Sequence, residues 1–228
     1  MQTVTAVAHR GDPYRFRENT IDSLRSALDR GADAVEFDVR LTRDGVPVLL
    51  HDATLKRLWG LDRPLLSLSA AEVRGLTAGG VPTLAEALAA TDGTRVMLDL
   101  PGTREPRAAR RVVDAVREAG AADRAYYCAD ATAMLAVRAA DPAAEIALTC
   151  TSLAPPRPVL LAAVKPRWLN YRFSLADRDL AARVHHGGQL LSVWTPDTRR
   201  SMRRLVDLGV DSITTNRIDA LTAVRKQG

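Results

Sequence analysis

Short apolar runs alternate with amphipathic helical stretches along the whole chain, and this rhythm constrains the fold more than any other feature. Eight strand candidates occupy residues 4–8, 34–41, 96–100, 125–128, 146–150, 168–171, 190–194 and 211–215. Between them, residues 21–30, 84–90, 107–119, 131–139, 177–185 and 198–208 carry Ala, Leu and Arg at helical spacing. Strands this short, apolar on both faces and separated by helices, belong to a parallel sheet built from βα units. Eight units in 228 residues predict a compact (β/α)8 barrel, an α/β fold. The alternative, an open doubly wound sheet, is marked by a Gly-rich first βα turn. Here that turn reads His9-Arg10-Gly11.

One segment breaks the rhythm. Asp44-Gly45 separates two alternating runs, a strong hairpin signal. The second strand is therefore expected to be followed by an antiparallel return strand over 46–50, which carries His51 back to the barrel mouth. Residues 53–82, with Gly60, Pro64, Gly75, Gly79, Gly80 and Pro82, read as a short irregular insertion. No linker, repeat or low-complexity tract interrupts the chain, so residues 1–228 are expected to form a single barrel domain.

Composition narrows the class. With 46% hydrophobic residues the chain can bury a sizeable core. No apolar run approaches the roughly 20 residues of a membrane-spanning helix, and the first ten residues lack the features of a signal peptide. Cys128 and Cys150 are too few for a disulfide scaffold and read as buried thiols, which points to the cytoplasm. The net charge is +5, carried by scattered Arg with only Lys56, Lys165 and Lys226 as lysines. No aromatic-interleaved platform accompanies that charge, so no nucleic-acid partner is expected, although a basic surface attracts anionic substrates.

The chemistry gathers at strand ends. His9 and His51 both fall at C-terminal ends of predicted strands, where side chains converge on the active face of a barrel. Two imidazoles facing one cavity suit general acid and general base work near neutral pH. His185-His186 instead precede Gly187-Gly188, where a helix C-terminus accounts for them. Glu36 and Asp38 lie two residues apart on the second strand and so point to the same side. Two carboxylates near a core are costly without compensation, and an oxygen-liganded divalent cation, Mg2+ or Ca2+, supplies it. Asp99, ending the next parallel strand, is placed to add a third carboxylate. Arg10 offers planar donors suited to a phosphate, or pairs with one of these acids. In Glu18-Asn19-Thr20, Asn19 or Thr20 is expected to cap the first helix and Glu18 to serve the site.

His9-Arg10-Gly11, Glu18-Asn19-Thr20, Glu36-Phe37-Asp38-Val39 and His51-Asp52, in this order and spacing, resemble the glycerophosphodiester phosphodiesterase family. The resemblance continues through Val81-Pro82-Thr83-Leu84, Val193-Trp194-Thr195 and residues 209–216. It implies a barrel hydrolase that uses a divalent metal to cleave small phosphodiesters such as glycerophosphocholine to sn-glycerol 3-phosphate and an alcohol. By position, His9 and His51 would be the acid/base pair, Arg10 a phosphate ligand, Glu36 and Asp38 metal ligands, and Trp194 a pocket wall. The chain departs from the family where Asp99-Leu100-Pro101 replaces Glu-x-Lys, where Cys128-Ala129 replaces Ser-Phe, and where Asn216 replaces a closing Asp. An Asp at position 99 resembles the related venom-type sphingomyelinase D branch. Two other outcomes stay open: a lyase that stops at a cyclic phosphate, and a phosphoester-binding homologue without catalysis. Neither the oligomeric state nor the division of roles between the histidines is legible.

Overall fold

The computed structural model describes residues 4–103 and 105–226. Among the described residues there are nine strands: β1 (Thr5–His9), β2 (Ala34–Leu41), β3 (Pro47–Leu49), β4 (Arg95–Asp99), β5 (Ala125–Ala129), β6 (Glu145–Cys150), β7 (Trp168–Arg172), β8 (Leu190–Trp194) and β9 (Ser212–Thr215). Among the described residues the helices are α1 (Ile21–Asp29), α2 (Lys56–Trp59), α3 (Ala70–Leu76), α4 (Leu84–Ala90), α5 (Pro106–Glu118), α6 (Ala131–Ala140), α7 (Pro158–Val164), α8 (Arg178–His186), α9 (Arg199–Asp207) and α10 (Ile218–Arg225). Strands β1, β2 and β4 to β9 are all parallel, and β1 pairs with both β2 and β9. The sheet therefore closes into the (β/α)8 barrel, and the open-sheet alternative is excluded.

The two-sided apolar character of the strands follows from this closure. Ala6, Ala8, Val35, Phe37, Val39, Val96 and Leu98 face outward into a core shared with the helices. Inward, Val7, Ala34, Met97, Tyr126, Cys128, Ala147 and Trp168 pack together. The N-terminal end of the barrel is sealed by an interlocked set. Trp168 Nε1 and Arg95 Nη2 each donate to Glu145 Oε1 at 2.7 Å, Tyr126 stacks on Trp168, and Arg95 lies over the Tyr126 ring. Both cysteines are free and buried. Among the described residues no helix is long and apolar enough to cross a membrane.

The hairpin forms as expected. β3 pairs antiparallel to β2, with Val39 opposite Leu49 and Arg40 opposite Val48, and Gly45 turns the chain at φ +78°. The insertion is more ordered than its Gly and Pro content suggests. Leu55, Leu65, Leu68, Val73 and Val81 close a small core of their own against Val48 and Leu50. Ser69 and Glu72 form a reciprocal capping box that starts α3, a Ser-x-x-Glu signal that was there to be read. Helices α7 and α10 also lie outside the segments read as helical from sequence, and β1 extends one residue further, through His9.

Gly11 fixes how the chain leaves β1. Its φ is +88°, and a Cβ there would lie 2.6 Å from the Ser23 carbonyl oxygen. Gly11→Ala therefore meets both backbone strain and a backbone clash, whereas Gly45→Ala meets strain and only a flexible Arg111 side chain at 3.4 Å. Strain of this kind costs about 1–3 kcal/mol. Urea unfolding should show Gly11→Ala losing clearly more stability than Gly45→Ala. Equal losses would mean that the close approach to Ser23 does not matter.

Candidate active site

The site is assembled by the C-terminal ends of β1, β2 and β4 and the loops that follow. A cavity of about 260 Å³ opens there, lined among others by His9, Arg10, Glu36, His51, Asp99 and Trp194. The hairpin does return His51 to this mouth. Glu36, Asp38 and Asp99 each offer a carboxylate oxygen within 4.8 Å of the other two. The register places Asp38 beside Asp99 on adjacent strands. Glu36 and Asp38 are almost wholly buried.

Most of what surrounds this cluster holds it in place. The Arg10 backbone N–H donates to Glu36 Oε2 at 2.8 Å, which the positive φ of Arg10 permits. Asn19 grips Asp38 twice: its Nδ2 donates to Asp38 Oδ2 at 2.7 Å, and its Oδ1 accepts from the Asp38 N–H at 3.2 Å. Thr20, not Asn19, caps α1 by accepting from Ser23 N–H. Arg10 Nε lies 3.0 Å from Asp38 Oδ2 and its Nη1 donates to Glu18 at 2.8 Å. Glu18 does not line the cavity. Arg57, from α2 in the insertion, donates to both Glu18 oxygens, at 3.1 and 2.7 Å, and to Asp52 Oδ2 at 2.6 Å. Asp52 Oδ1 in turn takes His51 Nδ1 at 2.7 Å. A continuous chain of ionic contacts thus runs from Asp38 through Arg10, Glu18, Arg57 and Asp52 to His51.

Each histidine has one ring nitrogen engaged. Asn216 Nδ2 donates to Asp197 Oδ2 at 2.7 Å, and a carboxylate can only accept, so the amide orientation is fixed. Asn216 Oδ1 therefore faces His9 Nδ1 at 2.7 Å and takes its proton as acceptor. His9 Nε2 is left toward Glu36, 3.9 Å away. His51 Nδ1 donates instead to a carboxylate, that of Asp52, and among the described residues its Nε2 has no hydrogen-bond partner. Across the cavity the wall carries mostly neutral groups, Cys128, Thr149, Asn170 and Thr214 with Trp194 beside them, and Asp130 as a charged one. Trp194 Nε1, Asn170 Oδ1 and Thr214 Oγ1 are buried without a hydrogen-bond partner among the described residues. His185, by contrast, lies at the end of α8 and bonds Asp211, away from the mouth.

The electrostatics follow from burial. Burial first, then the charges of Asp38 and Asp99, hold the Glu36 carboxyl well above the usual carboxylate range. Burial and Asp38 push Asp99 up to about 7. Burial, reinforced by Arg10, lowers the His9 imidazole and keeps it neutral. Hydrogen bonding from Arg57 brings Asp52 down to about 2. Asp38 Oδ1 is buried with no hydrogen-bond partner. An unpaired carboxylate oxygen beside two more carboxylates is an all-oxygen donor set that fits a hard divalent cation.

Sequence reading did not find Asn19 as the clamp on Asp38, Arg57 as the link between Glu18 and Asp52, or the Asp197–Asn216 pair behind His9. Asn216 was noticed only as a departure. Arg40 was also missed, although Glu36-x-Asp38-x-Arg40 alternates on one strand; its Nε donates to the His51 carbonyl at 2.7 Å.

Comparison with known proteins places the chain in a family. The model of the Glycerophosphoryl diester phosphodiesterase family matches residues 9–220. The glycerophosphodiester phosphodiesterase of Caldanaerobacter subterraneus subsp. tengcongensis is 27% identical over 97% of this chain and 98% of its own. The bovine glycerophosphodiester phosphodiesterase 1 is 37% identical, but over 38% of this chain and 30% of its own length. In structure, an Oleispira antarctica phosphodiesterase solved with its product sn-glycerol-3-phosphate superposes with a TM-score of 0.90 at 21% identity, covering 98% of this chain and 97% of that one. Fold and relatives thus define a (β/α)8-barrel enzyme of the hydrolase class. The chain belongs to the glycerophosphoryl diester phosphodiesterase family.

The acidic cluster generates a prediction with a definite sign. In metal-free protein, folded Asp99 keeps its proton up to about pH 7, while in the unfolded chain it ionises near 3.9. Between those values the native state binds the extra proton, so stability falls as pH rises through the window. Mg2+ or Ca2+ should therefore raise the melting temperature more at pH 8 than at pH 5. A metal effect that is absent, or larger at pH 5, would contradict a cation site at these carboxylates.

Proposed function

We propose that this protein hydrolyses glycerophosphodiester-type substrates to sn-glycerol 3-phosphate and an alcohol, using His9 and His51 as the acid/base pair. The observation that carries this reading is the pairing of two imidazoles, each engaged through Nδ1, with the buried three-carboxylate cluster at one cavity. Family membership and the product named for the Oleispira antarctica relative support the substrate class.

Glu36, Asp38 and Asp99 would hold Mg2+ or Ca2+, which when bound neutralises charge on the phosphoryl oxygens. His9, neutral and with Nε2 as its only acceptor nitrogen, removes the proton from the attacking hydroxyl. His51, whose Nδ1 is backed by ionised Asp52, delivers a proton from Nε2 to the leaving oxygen. The P–O bond to the alcohol breaks as the substrate's neighbouring hydroxyl forms its new P–O bond, and the alcohol departs with His51's proton. His51 then takes a proton from a water that opens the cyclic phosphate, and His9 returns its proton to the freed hydroxyl, which gives sn-glycerol 3-phosphate. Arg10 donates to a non-bridging oxygen, with Glu18 fixing its guanidinium rather than contacting substrate. Trp194 forms the opposite wall and offers its unpartnered Nε1–H.

His9→Ala and His51→Ala should each lower turnover by about 100-fold or more, with little change in melting temperature. Phosphorus NMR of a metal-supplemented glycerophosphocholine reaction checks both the product and the rate. Accumulation of a cyclic phosphate would make the enzyme a lyase, and near-normal turnover in either variant would remove that histidine from the reaction. With Pro101 where the family carries lysine, Arg10→Ala is expected to cost at least about 100-fold, at the upper end for a lost charge-assisted hydrogen bond. A loss below tenfold would show that the phosphate does not lean on Arg10.

A further inference from the structure

The catalytic cavity does not end at its own walls. Pro101 and Gly102, which line it, also line a second groove of about 430 Å³ on their other side. That groove is mostly apolar: Leu41, Pro64, Leu65, Leu66 and Ala108 contribute to it, with Glu105 among its polar lining. It lies between the hairpin, the insertion and the start of α5. Leu66 projects into water at 71% exposure while its neighbour Leu65 is buried, so among the described residues an apolar side chain stands open. Arg40 stands where the two compartments meet. It lines the groove, and a Cβ on Gly102 would lie 3.3 Å from its Nη1. Its Nε is committed to the His51 carbonyl, and among the described residues neither Nη1 nor Nη2 makes a hydrogen bond or a direct ion pair. A cation with open donors at the inner end of an apolar trough, next to the site of the diester, suits an anionic head followed by a hydrocarbon.

We propose that the groove receives an alkyl arm of the phosphodiester, so that the preferred substrates are amphiphilic diesters, with Arg40 donating to the diester at the junction. The proposal rests on the phosphodiesterase reading of the adjoining cavity. Continuity through Pro101 and Gly102 gives a chain attached to the reacting phosphorus a direct path outward. Pro101 is itself part of that path: an apolar ring at this position continues the trough, where a lysine would interrupt it with a charge.

The test is a series of glycerol phosphodiesters in which the second ester arm lengthens from methyl to butyl to octyl, assayed below micelle-forming concentrations. Each methylene that leaves water is worth about fourfold in affinity. kcat/KM should therefore rise by at least about tenfold from methyl to octyl. Leu66→Asp and Ala108→Asp place a charge in the trough without threatening the fold. Leu66 is exposed, and Ala108 lies in the first turn of α5, where an acid suits the helix dipole. Both variants should abolish the gain and leave the methyl diester rate unchanged. A flat or falling series in the unmodified protein overturns the groove while leaving hydrolysis intact. If no diester is turned over, the phosphodiesterase reading fails, and calorimetry with octyl phosphate and ethyl phosphate decides the groove alone. Octyl phosphate binding at least tenfold tighter, with the difference lost in Ala108→Asp, upholds it, and equal affinities overturn it.

Discussion

Three carboxylates drawn into the interior of a β-barrel set the terms for everything at its mouth. Ionised together and away from water, Glu36, Asp38 and Asp99 oppose folding through both desolvation and mutual repulsion. The chain answers with donors aimed at specific oxygens: the Arg10 amide on Glu36, the Asn19 amide on Asp38, and the Arg10 guanidinium beside Asp38. Two of these donors require non-glycine residues at positive φ, Arg10 at 56° and Asn19 at 57°. Such conformations are unfavourable for most residues and persist where the surroundings over-determine them. The tight turn at Gly11, pressed against Ser23, is what brings the loop close enough to deliver these donors.

The barrel interior is electrically lopsided. Strands β1, β2 and β4 supply His9, Glu36, Asp38 and Asp99, whereas β5 to β9 supply Cys128, Thr149, Asn170, Ser192, Trp194 and Thr214. The buried carboxylates thus gather on one side of the cavity, while the opposite side offers mainly hydroxyl, thiol, amide and indole groups, with Asp130 beyond β5 as its charged member and several groups without partners among the described residues. A ligand with an anionic end and a neutral polar end would find each end matched. The insertion joins in from above. Among the described residues Arg57, carried by α2, is the one that bonds both Glu18 and Asp52, so the arrangement of Arg10 and that of His51 depend on a common guanidinium.

The barrel was legible because closure makes strands apolar on both faces and leaves helical period between them. The hairpin was legible because Asp44-Gly45 interrupts two alternating runs. The acids were legible because period-two spacing puts Glu36 and Asp38 on one side. What escaped reading shares a physical cause. Asn19, Arg57, Asn216 and Asp197 act through tertiary contacts between segments far apart in sequence, and nothing local distinguishes them from caps or solvated surface residues. Asn19 sat beside a threonine that could cap α1 equally well, and only the fold shows which side chain turns toward Asp38. The glycines and prolines of the insertion suggest irregular chain, and the Ser69–Glu72 capping box that starts α3 shows why they mislead.

The sealed floor has a kinetic meaning. Trp168, Arg95, Glu145 and Tyr126 close the N-terminal end with stacked rings and paired charges, so the cavity is a blind well entered from one side. Whatever diffuses in must leave by the same opening. A product seated deeper than its partner is the last to go, and while it lingers no new molecule can enter. In a well closed at its floor, any fragment still seated fills the space that the next substrate needs.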